Sequence, residues 1–412
     1  MVELMLINVS GRDRPGLTVA LCEALARHDV QVLDMGQAVI HDELAWGLMV
    51  EVPSAASSGP VYKDVLVAAH SLGLDVRFTP VTEVEYGEWV MGQGAPRHVV
   101  TLLGRQLSAA HVAAIARVVA RYEGNIVSIE RLSGRLDLAQ STSERRSAIE
   151  FTIRGAKFDL ESMREEILMI TQSLEVDVAI QADDLHRRNR RLVCFDMDST
   201  LIPVEVIDEL AAAAGVGEEV AAITAAAMAG ELDFNDSFAR RVAALKGLRE
   251  DALEQVQASI EFTEGAKSLI QILKMLGYQV AILSGGFRWF AERLGARLGA
   301  DYVYANELEI VDGVVTGRVT GAVVDGARKA ELLRDIARQE GISLSQTIAV
   351  GDGANDLPML RIAGLGVAFH AKPAVRREAR HSIATHGLDG LLYLMGVRAH
   401  EIEKHRAEHP IC

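Results

Sequence analysis

The chain reads as α/β: an open, mostly parallel sheet that carries a helical insertion and is preceded by two small α+β units. Three observations predict this. From Leu192 onward the short apolar strands RLVCFD, YQVAILSGG and TIAVGDG each end in a Gly, Asp or Ser turn and run into helical sequence, as strands of a parallel sheet with crossover helices do. Between the first two of them, residues from about 205 to 277 carry helical periods. Before Leu192, a β-α-β-β-α-β period occurs twice.

The first of these units runs through ELMLINV, LTVALCEALARH, VQVLDMGQAVI, LAWGLMVEV, YKDVLVAAHSLG and LDVRFTPV. The second runs through RHVVTLLG, AHVAAIARVVARY, NIVSIERLSG, SAIEFTIRG, FDLESMREEILMITQSL and EVDVAIQ. EYGEWVMGQGAPR reads as a turn-rich boundary between them, and the arginine-rich HRRNRR after the second as a solvated linker. The expected domains are therefore 1–85, 95–184 and 185–412, the last with a helical cap at about 205–277. Within it, ELEIVDGVVTGRVTGAVV, with Asp312 and Gly313 at its turn, reads as a small inserted hairpin. The polar tail RAHEIEKHRAEHPIC reads as a surface helix.

Composition narrows the function classes. At 412 residues each unit can bury its own core without staples. Cys22, Cys194 and Cys412 lie far apart and make neither a disulfide framework nor a metal cluster, and the 12 histidines show no metal-ligand spacing, which suits a reducing compartment. The start has no basic segment leading into a long apolar stretch, and no apolar run is long enough to span a bilayer, so a cytoplasmic protein away from membranes is expected. A formal charge of −15 argues against a nucleic-acid partner.

Asp196 closes the apolar run LVCF, and Asp198 follows two positions on, so in an extended chain both carboxylates project to the same side. They lie where a parallel sheet places its ligands, at the carboxyl end of a strand. The next strand ends in Ser284-Gly285-Gly286, a hydroxyl with backbone N–H groups that can approach an oxyanion closely. Lys329 begins the helix AELLRDIARQEG. Asp352, Asn355 and Asp356 fall in GDGANDLPML, after the strand TIAV. Each feature alone has an ordinary meaning as a turn, a cap or a surface charge. What sets them apart is their order, each at a strand end or at the start of the helix beside it.

Together they resemble the four motifs of the haloacid dehalogenase superfamily over roughly residues 190 to 395, with DMDST first, Ser284 second, Lys329 third and GDGAND fourth. The resemblance implies a Rossmann-like core and a phosphatase that works through a phospho-aspartate. Asp196 would be the nucleophile, since an ionised carboxylate needs no activating base. Asp198 would protonate the leaving oxygen and then deprotonate water. Attack on a phosphate dianion calls for a hard cation and an amine to relieve the repulsion. The family pattern implies magnesium, held by Asp196, the main-chain carbonyl of Asp198 and Asp352, with Asp356 and Asn355 orienting that shell. Ser284, the Gly285 amide and Lys329 would hold phosphoryl oxygens, and Asn355 counts with this phosphate-binding set as well.

PVEVIDELA and FNDSFARRVAALKG resemble the cap of phosphoserine phosphatases. This implies Glu205 for the substrate ammonium, Arg241 for its carboxylate and Phe234 as a shield for the phosphate, with Arg240 the alternative to Arg241. The implied reaction is hydrolysis of O-phospho-L-serine to L-serine and phosphate, the last step of L-serine biosynthesis. Transfer of the phosphoryl group to an alcohol such as homoserine remains open. So does a non-catalytic amino-acid sensor, although that requires a broken motif and none is broken.

The repeated units resemble ACT domains, modules that bind amino acids at their mutual interfaces. In the first copy SGRDRPG ends a strand and opens a helix, where Gly16 permits close approach to free N–H groups and Asp13 suits an ammonium. The second copy reads LGRQLSA, with Gln106 and Ala109 in place of Asp13 and Gly16. The expectation is L-serine as an effector at the first copy and a homodimer paired through these modules; pairing without a ligand is the alternative.

Overall fold

The computed structural model describes residues 3–53, 58–135, 146–155, 159–228 and 231–408, with the side chains of 172, 173, 228, 234 and 405–408 outside that description. The chain forms two units, Met1–Ala95 and Pro96–Cys412. In the first, β1 (Glu3–Arg12), α1 (Leu17–Ala26), β2 (Gln31–Ile40), β3 (Glu43–Val52), α2 (Ser58–Ser71) and β4 (Asp75–Val81) make an antiparallel sheet of order β2-β3-β1-β4. Met5, Ile7 and Val9 alternate along β1 and meet Leu17, Leu21 and Leu25 from one stripe of α1, so the strand period and the helix period bury a common face.

The stretch expected to be turn-rich is instead a helix, α3 (Glu83–Gly92). The Thr82 hydroxyl accepts from the Glu85 N–H at 3.1 Å, and the Glu85 carboxylate accepts from the Thr82 N–H at 2.8 Å. This reciprocal capping box starts a helix that Gly87 and Gly92 alone would discourage.

The second unit opens with the same pattern: β5 (Arg97–Gly104), α4 (Ala109–Arg121), β6 (Asn125–Arg131), β7 (Ser147–Arg154), α5 (Leu160–Leu174) and β8 (Asp177–Ala182), in order β6-β7-β5-β8. β9 (Leu192–Phe195) then leads into α6 (Val206–Ala213), α7 (Gly217–Met228), α8 (Phe234–Ala244) and α9 (Glu250–Ser259). After α10 (Ala266–Met275) come β10 (Gln279–Phe287), α11 (Arg288–Leu298), β11 (Tyr302–Val311), β12 (Val314–Thr320), α12 (Gly326–Gln339) and β13 (Thr347–Gly351). α13 (Leu357–Ile362), β14 (Leu365–Phe369), α14 (Pro373–Glu378), β15 (His381–Ile383), α15 (Gly390–Leu394) and α16 (Ala399–Glu408) complete it. The large sheet has the order β12-β11-β10-β9-β13-β14-β15 and is parallel except for β12. β9 lies between β10 and β13 with all four residues buried, which is why LVCF is apolar without alternation.

One local expectation is met and another needs correction. The hairpin around Asp312 (φ 53°) and Gly313 (φ 75°) forms, with residues 307–311 of β11 antiparallel to β12, while the start of β11 from Tyr302 pairs in parallel with β10. HRRNRR, by contrast, is not wholly solvated: Arg187 and Arg190 are each 5% exposed. Arg187 pairs with Glu150 at 2.5 Å, and Arg190 donates to Gln181 Oε1 at 2.8 Å. Gln181 in turn donates to the Leu394 carbonyl, and Asp177 accepts from the Ala384 and Thr385 N–H groups. The basic run thus lines a polar seam between the second antiparallel sheet and the parallel one. The tail helix α16 also has a buried contact, through Ile402. Among the described residues no helix is long and apolar enough to cross a membrane.

Candidate active site

The site forms where β9, β10 and β13 end side by side. The Asp196 N–H donates to the Val350 carbonyl at 2.9 Å, which fixes the residue as the last in register with the sheet. Its Oδ1 accepts from the Met197 N–H at 2.7 Å and lies 2.8 Å from Lys329 Nζ. Asp198 Oδ1 accepts from the Val206 N–H at 2.9 Å, and its Oδ2 from the Ser284 hydroxyl at 3.4 Å. The Ser284 Oγ also accepts from the Gly286 N–H at 2.8 Å. The first and second motifs are therefore in direct contact.

Lys329 is delivered by α12, whose start is fixed by Asp325 accepting from the Arg328 N–H at 2.9 Å. Fully buried, its ammonium reaches both Asp196 and Asp356, the latter at 2.7 Å. Asp356 accepts from the Gly353 N–H through its other oxygen, at 3.0 Å, so it braces the loop after β13. Asp352 is half-buried, accepts from the Thr200 hydroxyl at 3.4 Å, and shares its loop with the half-buried Asn355.

Electrostatics follow from this crowding. Burial disfavours the Lys329 charge, yet Asp196 and Asp356 outweigh it and hold the ammonium above its ordinary range. Desolvation, with the Asp356 charge behind it, pushes the Asp196 carboxyl well above the carboxylate range, while Lys329 pulls the other way. Desolvation and the Glu205 charge raise Asp198 to about 7. Desolvation, Asp356 and Glu205 raise Asp352 to about 7. Among the described residues, Asp196, Asp198, Asp352 and Asp356 thus converge around the Lys329 ammonium. Carboxylate oxygens of Asp196, Asp352 and Asp356 lie within 4.8 Å of one another, a cluster of hard oxygen donors with excess negative charge that fits a small divalent cation.

Of the residues singled out in the sequence, the structure joins Lys329 to Asp196 and Asp356, and Ser284 to Asp198, at the same strand ends, with Gly285 beside Ser284 and with Asp352 and Asn355 on the loop after β13. Glu205 precedes α6, is exposed, and accepts from the Ser199 hydroxyl at 2.7 Å. Arg241 on α8 is half-buried, with its Nε enclosed and without a hydrogen-bond partner among the described residues, whereas Arg240 is exposed. The Phe234 side chain lies outside the described residues. Asp13 and Gly16 are exposed at the start of α1, where Gly16 has φ 94°, and belong to the other unit.

Sequence reading missed Asn306 and Ser199. Asn306, 2% exposed, donates to the Gly285 carbonyl at 2.7 Å and accepts from the Val324 N–H at 2.8 Å, clamping the Ser-Gly-Gly turn to the segment that leads into α12. Its position on β11, remote from every motif, carries no local signal.

Residues 193–361 match the model for haloacid dehalogenase-like hydrolases, and residues 3–79 and 96–181 each match an ACT domain model. The chain is 43% identical over 406 residues to a phosphoserine phosphatase of Streptomyces coelicolor, covering 98% of this chain and 94% of that one. It is 42% identical over 400 residues to the phosphoserine phosphatase SerB2 of Mycobacterium tuberculosis, covering 97% and 94%. Among solved structures, a HAD family hydrolase from Salmonella enterica superposes with a TM-score of 0.61 at 30% identity, covering 72% of this chain and 98% of that chain. A probable phosphoserine phosphatase from Vibrio cholerae superposes with a TM-score of 0.57 at 36% identity, covering 76% and 90%.

Proposed function

From the premise that the chain belongs to the phosphoserine phosphatases, with a haloacid dehalogenase-like hydrolase domain behind two ACT domains, we propose that it hydrolyses O-phospho-L-serine to L-serine and phosphate on Asp196. The observation that carries the proposal is the joining of Asp196, Asp198, Ser284 and Lys329 at one strand mouth, beside Asp352.

Asp196 attacks phosphorus and becomes the phospho-aspartate. Asp198, raised to about 7, is partly protonated at neutral pH and can donate to the departing seryl oxygen. As a carboxylate it then takes the proton of the water that cleaves the acyl phosphate. Lys329 and the Ser284-Gly285-Gly286 turn stabilise the transferring phosphoryl group. Asp196, the Asp198 main-chain carbonyl and Asp352 would hold a magnesium ion, which would supply the positive charge that attack of a carboxylate on a phosphate dianion calls for. Asp356, with its oxygens engaged by Lys329 and Gly353, serves as a brace.

At the far end of the substrate, Glu205 meets the ammonium and Arg241 the carboxylate. The unpartnered Nε of Arg241 supports it over the exposed Arg240. In the first ACT module, the exposed Asp13 and the open start of α1 at Gly16 suit L-serine as an effector, in a cytoplasmic homodimer. Calorimetric titration of the full chain with L-serine tests that part: no binding heat at millimolar serine removes it.

The primary test is phosphate release from O-phospho-L-serine, phosphothreonine and p-nitrophenyl phosphate, first with magnesium and then with EDTA. Preference for phosphoserine and arrest by EDTA are expected. Equal rates on all three, or turnover indifferent to the chelator, would overturn the assignment.

A further inference from the structure

Ser199, the residue after the second acid, has φ 55° and ψ 4°, a left-handed conformation that a serine side chain disfavours. The surrounding bonds hold it there. Its N–H donates to the Val204 carbonyl at 3.2 Å, and its hydroxyl donates to Glu205 Oε1 at 2.7 Å. One residue on, the Val206 N–H donates to Asp198 at 2.9 Å. Three bonds therefore tie the turn after the nucleophile to the first residues of the helical insertion. Glu205 itself is exposed, so nothing but this hydroxyl restricts its carboxylate among the contacts found for it in the described residues. The next residue, Val206, donates its N–H to Asp198, which sets Glu205 beside the second acid.

We propose that Ser199 is a positioning residue that aims Glu205 at the substrate ammonium, so that selectivity for an amine-bearing phosphomonoester is built into the strained turn following Asp196 and Asp198. A backbone held against its preference persists where neighbouring structure over-determines it. Here the left-handed turn is what brings the hydroxyl around to Glu205. The inference rests on the phosphoserine reading and deepens it.

Glycine is at ease at this φ, so Ser199→Gly removes the hydroxyl while relieving the backbone. Ser199→Ala, which keeps Cβ, is the companion variant. With the full-length chain and magnesium, kcat and KM are measured for O-phospho-L-serine and for 3-phosphoglycerate, which carries a hydroxyl in place of the ammonium. The wild type should favour phosphoserine. Ser199→Gly should melt no lower than wild type and should lose at least tenfold of that preference, chiefly through KM for phosphoserine. The same change in a Glu205→Gln background should shift the preference little, because its route of action is already gone. Equal losses on both substrates, an undiminished preference in both Ser199 variants, or an undiminished effect in the Glu205→Gln background would overturn the inference while leaving the phosphoserine reading standing. A wild type without preference would overturn that reading and the inference with it.

Discussion

The Lys329 ammonium lies 2.8 Å from Oδ1 of Asp196 and has no solvent exposure. It also lies 2.7 Å from the equally buried Asp356, so one cation compensates two anions where water cannot. Lys329→Met would leave those carboxylates facing each other without compensation, and removing one partner of a buried pair costs about 3–5 kcal/mol. The variant should lose that order of stability in urea titrations with EDTA present, and its phosphate release should fall by at least about a hundredfold. Adding Asp356→Asn should recover part of the stability and none of the activity. A Lys329→Met protein as stable as wild type would refute the compensating role.

Asp196→Asn separates chemistry from folding. The carboxyl is buried and held well above its ordinary range by desolvation and by Asp356, so replacing it with a neutral amide removes a charge that the fold tolerates poorly. The variant should melt at or above the wild-type temperature without metal and lose turnover by about a thousandfold or more. Intact-mass analysis after a phosphoserine quench should show no phosphoryl adduct. Near-native turnover would rule out Asp196 as the nucleophile.

Much of this was legible in sequence because it is local. The acids, the serine turn and the lysine stand at strand ends or helix starts, and strand and helix periods mark those places. What escaped is contact made over distance. Asn306 matters only because folding brings β11 beside the Gly285 carbonyl. Arg187 and Arg190 look like a solvated run until Glu150 and Gln181 supply acceptors. The left-handed turn at Ser199 has no residue preference to announce it. α3 is different: its Thr82 and Glu85 capping box was there to be read, and the two glycines masked it.

His381 allows a pH prediction away from the site. Burial, with Arg164, Arg190 and Arg380 adding repulsion, lowers its pKa to about 3 from an ordinary 6.5. Below about 6.5 the unfolded chain takes up a proton that the folded chain refuses, so this group's contribution is present at neutral pH and is lost as pH falls toward 3. The slope is about 1.4 kcal/mol per pH unit. His381→Gln removes that term. In magnesium-containing buffer, the unfolding free energy of the variant minus that of wild type should therefore rise by about this slope from pH 6 to pH 4. Parallel curves would mean the imidazole is protonated in the fold.

Gly286 sets the space in which Asp198 works. A Cβ built there lies 2.3 Å from Asp198 Oδ2 and 3.1 Å from both Ser284 Oγ and Met197 Cε. Asp198 cannot simply swing aside, because its other oxygen is held by the Val206 N–H. Gly286→Ala should therefore displace the acid and strain or break its bond to the Val206 N–H, at a cost of about 1–3 kcal/mol in stability. Proton transfer of this kind contributes about 10²–10⁴ in rate, and a displaced acid should forfeit much of it on phosphoserine, whose alkoxide needs a proton to leave. p-Nitrophenolate leaves without one. Because Asp198 also serves the hydrolysis of the acyl phosphate, a step common to both substrates, the comparison is made in kcat/KM, which reports the steps up to phosphoryl transfer: its loss on p-nitrophenyl phosphate should be at least about tenfold smaller than on phosphoserine. Equal losses on the two would mean that the methyl group obstructs the phosphate itself, and Asp198 would no longer account for the effect.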